Sequence, residues 1–408
     1  MIYLIIFLLL IVLSYRYDYR KEKSGYNVSF YAILVIFILL AGLRYRVGGD
    51  TSMYITFFNE LSPINRLSTG EIIKSRFAPG FVVLASLLRS VTDEFTWFQI
   101  IHSIIVNCVV FMFIRKNCRH VFFGILIFFS YLYTLLLFEQ MRESFAVAIF
   151  LLAWPAFKNG VWWKWYIAAL CAFLFHISAF MMFFLPLICL PWVRELFTFG
   201  KRTWIVCGLV FIVAIIIQTT LFKYIELISV TESMMERAHA YSRLSKGELF
   251  NFNRLIGAVI QYIAYPFAAL FCLSALRKRG EDVETALAFR KESMLVLCSI
   301  YISIFSLFIG ILSRYNNYFY LFAIVMMGDW IFTLLPVLKK KIRLGYLYWI
   351  ILFMPMFGFN LYNSYLTPIN KGGTMRGYMM YYPYSTIFDQ TIDADREKTV
   401  VYIRKKMR

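Results

Sequence analysis

Asp50 is the residue of this chain best placed for acid–base chemistry, because it ends a glycine turn. Residues 44–50 read RYRVGGD. Glycine accepts positive φ angles and close approach of other groups, so Gly48 and Gly49 allow the turn to present the Asp50 carboxylate to a ligand. A carboxylate within hydrogen-bond reach of a hydroxyl can remove its proton. The alternative is that Asp50 is the N-cap of a helix over residues 51–58, a role that does not exclude ligand binding.

Arginines near the ends of apolar stretches are the second feature with possible chemistry. They are Arg44, Arg46, Arg142 and Arg314. A guanidinium stays charged and holds phosphate oxygens in a fork, so these residues are candidates for binding an anion. The alternative is that the side chains reach toward lipid headgroups from the span ends.

Glu139 and His176 are two further candidates for proton transfer. Glu139 lies on the same helical face as Arg142 and Glu143, because residues three and four apart are neighbours on a helix. A local ion pair between Glu139 and Arg142 is therefore the alternative to catalysis. His176 lies in the apolar run FHISA, where a lone histidine is often a buried, hydrogen-bonded residue. Its position within a membrane segment favours a functional role.

Metal and cofactor motifs are not found in the sequence. There is no HExxH motif or other cluster of histidine and cysteine ligands, so we predict no metal site and no cofactor. The seven cysteines have no paired CxxC spacing, which indicates neither a disulfide framework nor a metal centre. Asp393-Ala394-Asp395 matches a DxD pattern, but it lies in a polar tail and is interpreted as solvated charge.

The elements that position these residues are transmembrane helices. Of the 408 residues, 61% are hydrophobic and only 16% are charged. Apolar runs of the length needed to cross a hydrocarbon core of about 30 Å recur along the chain. We predict an all-α polytopic membrane protein with about 12 transmembrane helices, within a range of about 11 to 14. Residues 1–361 form one membrane domain, and residues 362–408 form a polar, tyrosine-rich external tail.

Basic residues set the predicted orientation, because loops rich in lysine and arginine stay in the cytoplasm. The predicted cytoplasmic loops are 16–23, 115–119, 158–164, 194–202, 277–291 and 339–343. The net charge of +19 is therefore interpreted as contact with lipid headgroups, and no nucleic-acid partner is expected. The first apolar run precedes its basic residues, the reverse of a signal peptide, so we expect it to be retained. Both termini are predicted outside.

The even number of crossings between cytoplasmic loops predicts three helical hairpins: 121–137 with 144–157, 203–221 with 255–276, and 293–312 with 315–335. Residues 344–361 form the last predicted span. Two regions are irregular. Residues 166–192 are predicted to be two short half-spans that meet near His176. Residues 81–88 are too short to cross, and the break at Pro79-Gly80 predicts a re-entrant or interfacial segment. All the candidate residues then lie on the external face, with loops 44–78 and 222–253, the second of which is an amphipathic-helix candidate.

Four motifs together resemble the EpsG family of Wzy-like exopolysaccharide polymerases, whose products include O-antigen and capsule. They are the RYRVGGD turn followed by Tyr54, Arg142 opening a span, His176 with Ser178, and Arg314-Tyr315. The resemblance covers most of the chain. The sequence departs from the family pattern at Glu143, where glutamine is more common, and at Asn316-Asn317, where the family has aromatic residues.

The resemblance implies a substrate and a role for each candidate. The substrate is a glycan on a polyprenyl diphosphate, so Arg46, Arg142, Arg314 and Arg44 are expected to bind the diphosphate. Asp50, His176 or Glu139 is expected to take the proton of the acceptor hydroxyl, and Tyr54 and Tyr315 to stack on sugars. The implied enzyme is a glycosyltransferase of the bacterial inner membrane that polymerises repeat units on the external side without a metal or cofactor. Membrane lipids are expected partners, and other assembly and chain-length proteins are further candidates.

Three other functions remain open at the level of sequence. A ligase would use the same donor with another acceptor. A flippase for the same lipid-linked units would show paired repeats with helices broken at mid-depth, and the sequence has no matching halves. An acyltransferase would carry a histidine–acid site, for which His176 alone is a thin basis.

Overall fold

The computed structural model describes residues 2–228, 252–277, 283–339, 357–358, 360–370 and 372–407. This part of the chain is largely helical and contains no β-strand, which confirms the all-α prediction. The chain divides into two compact units. The first unit is Met1–Pro186 with Met379–Val400, and the second is Leu187–Tyr378 with Val401–Arg408.

The first unit holds the helices that precede and surround the glycine turn. Its helices are α1 Ile2–Leu13, α2 Tyr26–Gly42, α3 Thr51–Glu60, α4 Thr69–Lys74, α5 Pro79–Arg89, α6 Phe95–Asn117, α7 Val121–Phe128, α8 Met141–Lys158, α9 Trp162–Phe175 and α10 Met181–Phe184. Wider π-helical turns extend α1 over Ser14–Tyr19 and α7 over Phe129–Tyr133 and Leu135–Glu139. The predicted hairpin of 121–137 with 144–157 therefore corresponds to α7 with its extension, followed by α8.

The second unit holds α11 Pro191–Arg194, α12 Lys201–Ile228, α13 Phe252–Val259, α14 Tyr265–Arg277, α15 Val283–Ser306 and α16 Ser313–Lys339. A last helix, α17 Ala394–Met407, begins in the tail part of the first unit. Most of the predicted final span 344–361 and most of the predicted external segment 222–253 lie outside the described residues.

Four helical stretches within the described residues are long and apolar enough to cross a membrane. They are Ile2–Tyr19, Phe95–Asn117, Lys201–Gln218 and Ile256–Ala275. Shorter apolar helices accompany them at Tyr26–Gly42, Pro79–Arg89, Val121–Tyr133, Trp162–Phe175 and Ile177–Cys189. The polytopic membrane class is thereby confirmed, and the number of crossings stays a prediction.

The core of the first unit lies where α2 packs against α6 and the extension of α7. Phe37 of α2 is fully buried, and its ring centroid is 5.0 Å from that of Phe111 and 4.7 Å from that of Tyr133. Polar groups in this layer bond to backbone carbonyls of α2. Tyr133 donates to Phe37 O at 2.6 Å, and Ser103 donates to Ile38 O at 2.8 Å. These bonds satisfy hydroxyls that hydrocarbon would not solvate.

Both irregular regions contain breaks where the sequence predicted them. Helix α5 starts with Pro79 in its first turn, where proline is tolerated because its missing N–H has no helical partner. Helix α9 ends at Phe175, and His176 is extended at φ −155° and ψ 135°. The following segment folds back along α9, since Trp165 donates to Met182 O at 2.9 Å and Phe183 stacks on Tyr166.

Candidate active site

The turn at Gly48 and Gly49 favours glycine at both positions, for two different reasons. Gly48 has φ +107°, a conformation that residues with side chains rarely adopt. A Cβ on Gly49 would lie 2.9 Å from Glu139 Oε2 and 3.2 Å from Met380 Sδ. These two observations confirm that the turn depends on positive φ and on close approach of other groups.

Glu139 holds this turn from the end of the α7 extension. Its Oε1 accepts the N–H of Gly49 at 2.7 Å, and its Oε2 accepts the N–H of Asp50 at 3.1 Å. Tyr381 adds a side-chain hydrogen bond to the same carboxylate. Glu139 lies just after the predicted span 121–137. Burial is the main cause that raises the pKa of Glu139, and the charge of Asp50 is the second. The hydrogen bond between Gly49 and Glu139 joins points 90 residues apart in the sequence.

The ion pair of Glu139 with Arg142, the alternative considered from the sequence, is not formed. The ion pairs among the described residues do not include it. The carboxylate faces the turn, and the Arg142 guanidinium lies over the Phe77 ring, 4.6 Å from its centroid. We interpret Glu139 as a positioning residue for the turn.

Asp50 immediately precedes α3 but does not cap it. All residues of the first turn of α3 are described, and the Asp50 side chain makes no hydrogen bond to their backbone N–H groups. A different side chain secures the start of the helix, because Thr51 donates from Oγ1 to Val47 O at 2.7 Å. The Asp50 carboxylate is thus not required for the cap. The backbone N–H of Asp50 is held by Glu139.

Arg142 opens α8 and lies close to the turn. One of its N–H groups bonds to Tyr54, and its Nε is buried without a hydrogen-bond partner among the described residues. A buried N–H of a charged group that lacks an acceptor is costly, and such groups are commonly satisfied by a ligand or an ion. Arg142 therefore has a buried donor still available for an anion, and in the first unit it shares this property with Arg396 of the tail.

Tyr54 supports Arg142 and does not present its ring. The side chain is 1% exposed, and its ring packs against Phe77 and Phe81 in an aromatic cluster. Its hydroxyl donates to Glu139 O at 3.3 Å. Burial raises the pKa of Tyr54 to about 12, although Arg142 acts in the opposite direction, so the hydroxyl stays protonated. The ring is buried against other aromatic rings in this structure, and the sugar-stacking role of Tyr54 stays a prediction.

The contacts of the Arg44 guanidinium are with the protein itself. It is 1% exposed, and its guanidinium lies over the Phe138 ring, 4.7 Å from the centroid. Its Nη1 donates to Ala41 O, and its Nε donates to Val47 O at 3.3 Å. The bonds join the end of α2 to the turn. We interpret Arg44 as a residue that shapes the loop, and its role in binding a diphosphate stays a prediction.

Arg46 lies where the C-terminal tail crosses the turn. The tail pairs with the loop through Tyr45 N to Ser385 O and Gly48 N to Met380 O, both at 2.9 Å. The Arg46 side chain faces Glu397 of α17, with 3.8 Å between Nε and Oε1. The tail and the turn thus lie at the same end of the first unit.

A comparison with protein families agrees with the motifs of this site. The family model described as the EpsG family matches residues 27–386, most of the chain. The chain belongs to the EpsG family. This is a Wzy-like polymerase family, and membership supports a polymerase-like role in exopolysaccharide synthesis. No curated protein and no solved structure matches the chain.

His176 of this EpsG-family protein has a local structural role. Its Nδ1 accepts the N–H of Ser178 at 3.2 Å and lies 2.6 Å from the Ser178 hydroxyl. The imidazole thus caps the short helical turn Ile177–Phe180 that follows the break. This geometry agrees with the alternative of a buried, hydrogen-bonded histidine, and a catalytic role stays a prediction.

Arg314 and Tyr315 lie in the second unit, in the first turn of α16. The helix dipole disfavours a cation at a helix N-terminus, so an interaction with the end of α16 does not explain why an arginine occupies position 314. Asn316, the first of the two asparagines that depart from the family pattern, has a structural role. Asn316 accepts a hydrogen bond from Ser299 and donates to Ser303 Oγ at 2.8 Å, which joins α16 to α15.

Two residues that help to form this site were not predicted from the sequence. Gln99 of α6 donates from Nε2 to Gly42 O and to Arg44 O, both at 2.8 Å, and holds the chain as it enters the turn. His102 Nε2 lies 2.6 Å from the Ser144 hydroxyl of α8. The signal was present, because Gln99, His102 and Ser103 form a polar face at helical spacing in an apolar helix.

Within the part of the chain that the structure describes, no group of three or more histidine, cysteine, aspartate or glutamate residues could hold a metal ion.

Proposed function

We propose that this protein is an integral-membrane glycosyltransferase that polymerises polyprenyl-diphosphate-linked repeat units on the external face of the bacterial inner membrane. The growing glycan moves from its polyprenyl diphosphate to the end sugar of a newly delivered lipid-linked unit. The observation that carries the proposal is a positioned carboxylate close to an unused guanidinium donor: Glu139 fixes the turn bearing Asp50, and Tyr54 joins the Glu139 backbone to Arg142.

The reaction exchanges one bond at the anomeric carbon of the donor. The acceptor hydroxyl gives its proton to the Asp50 carboxylate as its oxygen bonds to that carbon. The bond from the carbon to the diphosphate oxygen breaks, and the polyprenyl diphosphate leaves with the electron pair. Because the donor already carries a good leaving group, the transfer is downhill without a nucleotide.

Arg142 stabilises the leaving group, because negative charge grows on the diphosphate as the bond breaks. A donor fixed in advance stabilises that charge without reorganisation, and removal of one such donor typically costs about a hundred- to a thousand-fold in rate. The Phe77 ring and the Tyr54 hydroxyl hold the Arg142 guanidinium, so its orientation is set before substrate arrives. Arg46 is a second diphosphate ligand in this proposal, and the matching role of Arg314 stays a prediction.

Two residues predicted to contact substrate take supporting roles in the proposal. Arg44 holds the loop that ends in the glycine turn, and Tyr54 holds Arg142. Glu139 fixes the N–H groups of Gly49 and Asp50, and through them the direction of the Asp50 side chain. The carboxylate of Asp50 is left as the general base.

The test is polymer formation by the purified protein in lipid vesicles, with synthetic polyprenyl-diphosphate-linked repeat units as both donor and acceptor. We expect a ladder of products. In cells, deletion of the gene is expected to collapse the surface glycan to single repeat units. Loss of externally displayed lipid-linked units would instead indicate a flippase, and a full-length ladder that is not transferred to its final acceptor would indicate a ligase. An impermeant thiol label on Ile392→Cys in intact cells reports the side of the membrane.

A further inference from the structure

We propose that Glu397 of the C-terminal tail is an internal anion that occupies Arg46 until the diphosphate of the donor displaces it. This inference deepens the proposed function and rests on it, because it assigns the tail to the same site. The sequence motifs assigned no residue of the tail to the active site. The contacts between the tail and the turn are the basis for this assignment.

The tail fixes an uncommon backbone conformation at Arg46. This residue has φ +52°, in the left-handed region that residues with side chains rarely adopt. Tyr45 just before it and Gly48 two residues after it are tied to the tail, by Tyr45 N to Ser385 O and by Gly48 N to Met380 O. Conformations of this kind persist where the surroundings determine them, and they cluster at ligand-binding sites. The direction of the Arg46 side chain therefore depends on the tail.

Arg396 brings Glu397 to this position. It is 1% exposed, and its guanidinium donates to Pro383 O and, at 3.4 Å, to Arg46 O. One residue thus joins the folded tail, the start of α17 and the backbone of Arg46. The next residue of α17 is Glu397, whose carboxylate lies beside the Arg46 side chain.

The contact between Arg46 and Glu397 is suited to exchange. The Nε and Oε1 atoms are 3.8 Å apart, and the two side chains are 32% and 34% exposed. Among the described residues, Glu397 is the one acidic partner of the Arg46 side chain. Ion pairs this exposed contribute little, whereas a diphosphate offers several oxygens to the guanidinium fork. The carboxylate keeps Arg46 in place without competing strongly against the donor.

The test compares Glu397→Gln with wild type in the vesicle assay over a range of donor concentrations. The amide keeps the shape of the side chain but loses its charge. We expect a KM for donor that is lower by about two- to fivefold at unchanged kcat, which is the range expected for an exposed ion pair. Asp395→Asn is the matched control, because the ion-pair partner of Asp395 among the described residues is Lys398 on the same helix at 3.8 Å, with side chains 75% and 69% exposed. It is expected to leave both constants unchanged.

A second measurement separates this inference from the proposed function. Binding of inorganic diphosphate to the purified protein is measured by calorimetry for wild type, Glu397→Gln, Arg46→Gln and the double variant. We expect tighter binding in Glu397→Gln and no effect of the same change when Arg46 is already glutamine. A polymerising protein whose Glu397→Gln variant has an unchanged or raised KM and unchanged diphosphate affinity would overturn the inference alone. Tighter diphosphate binding in a protein that makes no polymer would overturn the proposed function alone.

Discussion

The Gly48–Asp50 turn and the break at His176 are both chain reversals with polar groups, but they are held in different ways. The turn is fixed by Glu139 and by the tail, with partners 89 residues or more away in the sequence. The break is fixed by His176 itself, which bonds to Ser178 two residues later. Burial of polar and charged groups is costly unless they are hydrogen-bonded. A local cap explains His176 without a ligand, whereas the long-range set of charges around Asp50 has no such simple explanation.

Asp50→Asn is expected to change turnover more than any other substitution in either of the two regions. Because Asp50 makes no capping bond, the change removes the carboxylate without removing a helix cap. We expect turnover in vesicles to fall by about a hundred- to ten-thousand-fold, the usual cost of losing a general base, with the melting temperature nearly unchanged. Near-normal turnover would eliminate Asp50 as the base and turn attention to His176 and Glu139.

Arg142→Ala is expected to lower turnover by about a hundred- to a thousand-fold, because a preorganised donor to the leaving diphosphate is lost. Arg142→Lys should recover part of the activity, since it keeps the charge without the fork.

Arg115→Ala is the matched control for that change. Arg115 also lies over a phenylalanine, 4.8 Å from the Phe30 centroid, and bonds to Asn27 and Tyr31. It belongs to a predicted cytoplasmic loop, and we expect normal turnover. Equal losses in Arg142→Ala and Arg115→Ala would mean that both arginines act only in folding.

Gly49→Ala tests the long-range contact itself. The new methyl group would meet Glu139 Oε2 at 2.9 Å and push the carboxylate away from the turn. We expect a loss of turnover of about tenfold or more, because a misplacement of about 1 Å at the reacting groups can cost about a hundredfold in rate. Gly70→Ala serves as the control, because its added methyl group has only Ser68 Oγ nearby, at 3.9 Å. Normal turnover by Gly49→Ala would show that the turn tolerates a displaced Glu139.

His176→Asn should have a small effect if the break is only structural. Asparagine keeps a short side-chain acceptor for the N–H of Ser178, and loss of a cap costs only about 1 kcal/mol of stability. We expect turnover within about threefold of wild type and a slightly lower melting temperature. Loss of activity in a fully folded His176→Asn protein would place the imidazole in the chemistry and remove the contrast between the two regions.

The smallest expected effect concerns pH and the Asp50–Glu139 pair. Burial and Asp50 raise the pKa of Glu139 in the folded state, so the folded protein binds this proton more tightly than the unfolded chain. The resulting stability is present at low pH and is lost as pH rises through the raised pKa. Asp50→Asn removes one of the two causes. Its melting temperature should therefore fall less than that of wild type between about pH 5 and about pH 8. Parallel curves would mean that Asp50 does not act on Glu139.

The sequence was sufficient for the class of the protein and for the positions of its breaks. Apolar runs of spanning length require helices in a membrane, because hydrocarbon leaves backbone groups no other partners. Pro79 and His176 mark helix ends by local chemistry, and the paired glycines mark a turn that side chains would block. These features depend on neighbours in the chain, so residue type and spacing predict them.

The tertiary structure decided which polar residues serve the turn. Arg44 and Arg142 look alike in sequence, yet one is spent on backbone carbonyls and the other keeps a buried donor without a partner among the described residues. Glu139 was assigned to catalysis or to a local ion pair, and the fold instead brings it to the N–H groups of Gly49 and Asp50. The contact of Glu397 with Arg46 joins the two ends of the chain. A sequence specifies donors and acceptors, but which distant ones meet depends on how the helices pack.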